Sequence, residues 1–160
     1  MKTIDTRDLY TRKCELETLR DAVTAAQEEL EEARINLKMC RDALEDGENT
    51  GDDPDDLENA FSEAESNLES AEEDYGTDEK EELAELENLE SEISGFMHGE
   101  TMVPESDFED YAQLLAEDLG DYDFNAKWPL TCIDWSQAAD ELKQDYTEVT
   151  YQGDTYLVRA

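Results

Sequence analysis

Apolar residues recur every seven positions through the first third of the chain. Leu9, Leu16, Val23, Leu30, Leu37 and Leu44 form one series. Leu19, Ala26, Ala33 and Cys40 follow three positions later, with Arg12 interrupting that second series at its start. Two such series make the a/d seam of a coiled coil and predict one helix of about 39 residues, roughly 58 Å long. The small Ala26 and Ala33 leave room for a partner helix to come close.

A turn is predicted between Asp46 and Pro54, where Gly47 and Gly51 break the helix. Asp53 can cap the next helix, with Pro54 at its first position, where a missing N–H costs nothing. The second arm repeats the seven-residue spacing in Leu57, Ala64 and Ala71 and in Phe61, Leu68 and Tyr75. After Gly76 the stripe resumes at Leu83, Leu86, Leu89 and Ile93. The phase survives the glycine, because an 11-residue step keeps register on a helix. Residues 54–95 are therefore one helix or two collinear ones. Arms of similar length joined by a short turn predict an antiparallel coiled-coil hairpin over residues 1–95. A heptad seam can also take a second copy of the chain, so a homodimer stays open.

Residues 96–104, Phe-Met-His-Gly-Glu-Thr-Met-Val-Pro, read as a linker. Composition then shifts, with ten of the 13 aromatic residues lying from Phe96 onward. Residues 106–119 form an amphipathic helix with Phe108, Tyr111, Leu115 and either Ala112 or Leu119 on one face. Trp128–Trp135 reads as an apolar connector, its two tryptophans as core anchors, and Asp134 as the cap of a short helix holding Ala138, Ala139 and Leu142. Residues 147–151 and 155–159 alternate like two strands around Gln152-Gly-Asp154. The predicted fold class is mostly α: the hairpin, then a small aromatic-rich α+β module over residues 105–160 ending in a β-hairpin.

Charge changes this picture. The chain holds 47 acidic and 12 basic residues, a formal net charge of −35. Residues 1–44 are nearly balanced, with 10 acids and 8 bases, whereas residues 45–160 hold 37 acids and only Lys80, Lys127, Lys143 and Arg159. Arg12, Arg20, Arg34, Lys38 and Arg41 on the first arm can pair with acids on the second but cannot neutralise it. Such a field repels nucleic acid and anionic membrane and attracts basic protein surfaces. Adaptation to high salt would spread acid everywhere, against the near-neutral first arm. The start of the chain has no apolar signal-peptide core, and no run reaches membrane-spanning length. Cys14, Cys40 and Cys132 lie far apart, which suits small apolar residues in a reducing cytoplasm. With His98 they lack zinc-ligand spacing.

Chemistry other than charge finds little support. EF-hand spacing fails from Asp46, where position 12 is Leu57, and from Asp121, where positions 6 and 12 are Ala126 and Cys132. His98 has no recognisable partner, and no nucleophile, phosphate-loop or dinucleotide motif occurs. The expectation is a protein without catalytic residues, metal or cofactor. Residues 54–94 carry 17 carboxylates in 41 residues. On a helix that is one charge every ~3.6 Å, against about 3.4 Å per phosphate along a DNA strand. A merely solvated acidic face gives a similar figure. The candidate partner-binding residues are Asp55, Asp56, Glu63, Glu65, Glu69, Glu72, Glu73, Asp74, Asp78, Glu79, Glu82 and Glu85 in the second arm. After the linker they are Asp107, Glu109, Asp110, Glu117, Asp118, Asp121 and Asp123.

One stretch adds a resemblance. Asp134, Trp135, Ala139, Leu142, Asp145, Tyr146, Tyr156 and Arg159 follow an Asp-aromatic-x-x-x-Ala-x-x-Leu helix, short turn and Tyr-x-x-Arg ending. This C-terminal third resembles phage and plasmid antirestriction proteins of the ArdA type. The resemblance implies a DNA mimic that inhibits a host restriction complex without catalysis. The long N-terminal hairpin departs from that family, so the target can differ. The function expected from charge and resemblance is a non-enzymatic phage or mobile-element anti-defence protein acting in the host cytoplasm. It would block the nucleic-acid-binding surface of a restriction, CRISPR or DNA-processing complex, binding a basic host protein and neither DNA nor membrane. The rival is an acidic structural or adaptor coiled coil that recognises a protein by shape, its charge serving solubility.

Overall fold

The computed structural model describes residues 2–47, 51, 53–125 and 127–159. Most of the turn expected at Asp46–Pro54 lies outside these residues. The chain divides into two compact units, Cys14–Leu83 on one hand and Met1–Lys13 with Ala84–Ala160 on the other. This division differs from the expected 1–95, 96–104 and 105–160, because the first residues of the chain belong to the sheet.

The unit Cys14–Leu83 is helical. It holds most of α1 (Thr6–Glu45), all of α2 (Pro54–Asp74) and the start of α3 (Thr77–Glu92). The heptad positions face inward as expected: Leu16, Ala26, Leu37 and Cys40 of α1 and Ala64 of α2 are buried. Val23, Leu30, Leu57, Phe61 and Leu68 are half-buried. Arg41 pairs with Glu58, tying the end of α1 to the start of α2 and setting the two helices antiparallel. Leu44 departs from the seam and is exposed. Asp53 caps α2 as expected, accepting from the Asp55 N–H at 3.0 Å.

The second arm is two helices. α2 ends at Asp74, Tyr75 after it is buried, and the Gly76 N–H donates to Glu79 Oε2 at 3.0 Å. That bond replaces a lost helical partner and starts α3. Lys80 Nζ lies 5.4 Å from the centre of the Tyr75 ring, a cation–π contact that covers the break.

The unit of Met1–Lys13 and Ala84–Ala160 is built on a four-stranded antiparallel sheet. Its strands are β1 (Ile4–Asp5), β2 (Thr101–Pro104), β3 (Tyr146–Tyr151) and β4 (Asp154–Arg159), in the order β1-β2-β4-β3. The expected linker is therefore an ordered part of the core: Phe96, Met102 and Val103 are buried and β2 is an inner strand. Two apolar residues in a row, one for each face, carry no alternation, which is why the segment reads as a linker. Residues 105–160 alone lack β1 and β2 and are not the whole module.

Pleating sends Val103 and its partner Leu157 to one face, where they meet Phe108 and Ala112 of α4 (Phe108–Asp118) and Ala139 of α5 (Trp135–Leu142). Ala112, not Leu119, completes the buried face of α4, and Leu119 is exposed. Met102, Val149, Tyr151 and Val158 are buried on the other face. There Leu89 of α3 shares a cleft with Val149, and Ile93 shares one with Val158. Asp134 caps α5 through the Gln137 N–H at 3.1 Å. β3 and β4 join through Gln152-Gly153, both at positive φ (51° and 82°), the type I′ geometry of a two-residue hairpin.

Two polar contacts settle details of this unit. The Thr6 N–H donates to the Glu100 carbonyl at 3.0 Å, and the Glu100 N–H donates to Thr6 Oγ1 at 2.8 Å. Thr6 is fully buried. Thr6→Val keeps the shape and strands the Glu100 N–H, which should cost about 1–3 kcal/mol. Thermal melts should show a lower Tm for Thr6→Val than for Thr6→Ser; equal melting points would remove this exchange from the fold's supports.

In the core, the hydroxyls of Tyr111 and Tyr146 lie 3.0 Å apart. Burial, then the bond to Tyr111, raises the Tyr146 pKa well above its ordinary 10. A raised folded pKa means the neutral phenol is favoured by folding. The contribution is complete below pH 10 and is lost as pH climbs toward the folded value. Denaturant titrations at pH 8 and pH 11 should show stability falling with alkalinity, and Tyr146→Phe should flatten that fall. An equally steep fall in Tyr146→Phe would assign it to other groups.

Candidate functional site

The candidate carboxylates divide between the two units, and each set follows from its helix. On α2 the apolar stripe Leu57, Phe61, Ala64, Leu68 and Ala71 takes the inward face, so acids elsewhere on the helix must face outward. Asp55, Asp56, Glu63, Glu65, Glu69, Glu72, Glu73 and Asp74 are all exposed. At 100° per residue, Glu58, Glu65, Glu69, Glu72 and Glu73 fall on one flank of the stripe, while Asp56, Glu63 and Asp74 fall on the other. The first flank is an ordered row: Glu65, Glu69 and Glu73 sit one turn apart, about 6 Å per step. Asp78 on α3 is exposed as well. The helix α2 spans 21 residues, roughly 31 Å. Its described cationic neighbours gather at its two ends: Arg41 pairs with Glu58, Arg34 and Lys38 line a groove with Glu58 and Phe61, and Lys80 lies over Tyr75.

Three expected site residues on α3 are half-buried. Glu79 caps the helix start, and Glu82 has an internal interaction. Glu85 belongs to the other unit, where its Oε1 accepts the Gln152 N–H at 2.6 Å and steadies the β-hairpin turn. Glu79 and Glu85 are engaged in holding the fold.

In the sheet-bearing unit, α4 lays Phe108, Ala112 and Tyr111 on the core and turns Asp110 and Glu117 to the opposite side. Glu109, Asp118, Asp121 and Asp123 are exposed too. Asp107 is half-buried, with Ser106 Oγ donating to its Oδ1 at 3.2 Å. Asp123 Oδ1 accepts from the Asn125 backbone N–H at 2.7 Å and orders the loop after α4.

Of the bases expected to pair across the hairpin, Arg41 does so. Arg34 pairs with Glu31, and Arg20 with Asp21, within α1 itself. Sequence reasoning missed the buried Lys13. Its Nζ lies 3.1 Å from Glu90, with 9% of the side chain exposed, a charge that burial permits only when paired. It stands four residues after Leu9, on the seam side, where a lysine is the visible signal.

Two expectations fail after α4. Trp128 is 80% exposed and so anchors no core, and Cys132 is exposed. Trp135 is half-buried against Tyr122, ring centres 4.8 Å apart. Residues 121–130 alternate polar and apolar positions, a period of 2 that reads as a half-buried strand, so the exposure of Trp128 could not be read from the pattern.

The residues of the antirestriction-like motif have structural jobs here: Asp134 caps α5, Ala139 is in the core, and Leu142 and Tyr146 pack against it. Among the described residues no three of His, Cys, Asp and Glu gather as a metal-binding group. No described helix is long and apolar enough to cross a membrane. Set against protein-family models, curated proteins and solved structures, the chain matches none.

The row Glu65, Glu69 and Glu73 contains two like-charge pairs at i,i+4, each destabilising an isolated helix by roughly 0.2–0.5 kcal/mol. Replacing all three with Gln should raise the Tm in low salt. The gain should shrink in about 1 M NaCl, where charges are screened within about 3 Å. A lower Tm in low salt would mean that the row is held by partners rather than repelling itself.

Proposed function

We propose that the protein is a non-enzymatic anti-defence protein of a phage or mobile element. It presents DNA-like charge and occupies the nucleic-acid-binding surface of a host restriction, CRISPR or DNA-processing complex in the host cytoplasm. The supporting observation is the exposed carboxylate rows of α2, held in fixed order by a helix whose apolar stripe is turned inward. A rigid helix pre-arranges the charges, so little ordering entropy is lost on binding a basic groove. The exposed acids of α4 add a second surface in the other unit. The likeness of Asp134–Arg159 to ArdA-type proteins supports the same reading, although those residues serve the fold. The acids act as fixed charge, and the reading needs no metal, cofactor or catalytic group.

The test has two arms. Labelled duplex DNA mixed with the purified chain should show no mobility shift. Proteins captured from host lysate on the immobilised chain at low salt should be nucleic-acid-binding proteins, and excess duplex DNA should elute them, because both ligands compete for one surface. Captured proteins that salt releases but duplex DNA does not would overturn the reading in favour of the acidic adaptor.

A further inference from the structure

Of the nine large apolar side chains exposed among the described residues, five fall within residues 114–130: Leu114, Leu119, Phe124, Trp128 and Leu130. Trp128 and Leu119 are the most exposed of all, at 80% and 69%. The loop that carries the aromatics is locally ordered. Tyr122 packs edge-on against Phe124 at 5.7 Å and against Trp135 at 4.8 Å, and Asn125 donates to Asp123. The same stretch carries Glu117, Asp118, Asp121 and Asp123, all exposed, and Lys127 is its one base. On α4, Leu114 stands one turn after Asp110 and one before Asp118, so apolar and acidic groups share the outward side.

We propose that Leu114, Leu119, Phe124, Trp128 and Leu130 are the apolar anchor of a docking surface for a protein whose hydrophobic cleft is rimmed by Lys and Arg. Charge complementarity selects this occupant. A second copy would bring the same carboxylates against these, and an anionic membrane would be repelled. Large exposed aromatics are the side chains that carry binding free energy when a partner's pocket desolvates them. The proposal rests on the charge-mimicry reading and deepens it: phosphates have no apolar part, so Phe124 and Trp128 add a contact that a phosphate backbone cannot make and salt cannot screen.

Two probes separate the terms on the intact chain: a short oligolysine, and an amphipathic Leu/Lys helical peptide with one apolar and one cationic face. Each is titrated by calorimetry at about 0.05 M and about 0.5 M NaCl, which shortens the Debye length several-fold. Wild type should bind the amphipathic peptide at both concentrations, with a blue shift of tryptophan emission that Trp128→Phe abolishes. Phe124→Ser with Trp128→Ser should weaken that binding at least ~10-fold at the higher salt, while oligolysine binds both proteins alike at the lower salt. Both side chains are exposed, so unchanged circular dichroism is the expected folding control. Equal affinity of the double variant for the amphipathic peptide, or an unshifted Trp128, overturns the anchor. The charge-mimicry reading fails separately, by the DNA-elution result, and such a failure leaves this comparison decisive by itself.

Discussion

Thr6 and Glu100 exchange two hydrogen bonds across 94 residues of sequence. This exchange holds β1 beside β2, with Ile4 opposite Met102, and places β2 inside the sheet between β1 and β4. The Thr6 N–H lies at the start of α1, where helical partners are missing, and the Glu100 carbonyl supplies one. Nearby, Gly99 adopts φ +94°, and a Cβ there would run into the Arg7 side chain. Only glycine lets the chain pass so close to α1 before entering β2. The sheet, its two apolar faces and the seating of α4 and α5 all follow from this joint.

A chain with net charge −35 folds against its own repulsion. Its solution is spatial sorting. Apolar side chains take one stripe of each helix, and the carboxylates of α2 are left on two outward flanks where water screens them. Half-buried Glu79 meets the Gly76 N–H and half-buried Glu85 the Gln152 N–H, while exposed Glu90 pairs with the buried Lys13. Sorting of this kind engages Glu58 with Arg41 at the helix start and leaves Glu65, Glu69 and Glu73 facing water, as a charge-mimicking surface would need.

The helical elements were legible because they repeat. Seven-residue spacing located the inward faces of α1 and α2, and Asp53 and Asp134 marked helix starts by their capping chemistry. Gln152-Gly153 announced the hairpin. The rest depends on partners distant in the chain. Ile4-Asp5 and Met102-Val103 are too short to show alternation, so β1 and β2 emerge only when β4 is alongside. Exposure of Trp128 was equally hidden, since an aromatic residue reads as core until its neighbours are known. Exposed acids on α2 and α4 could be foreseen from the apolar stripe, whereas the internal role of Glu85 rests on the Gln152 N–H, a donor 67 residues away that only tertiary structure supplies.

The strand order also dictates a timetable for synthesis. Residues 14–83 contain both faces of their own core and can collapse as soon as α2 and the start of α3 have left the ribosome. The sheet must wait. β1 is made about a hundred residues before its neighbour β2, and β2 has its second edge covered only when β4 follows. At roughly 5–20 residues per second of synthesis, the first strand spends several seconds without a partner. Its two-residue length, with Asp5 beside Arg7, makes that wait safe, because so short and charged an edge gives another chain little to pair with.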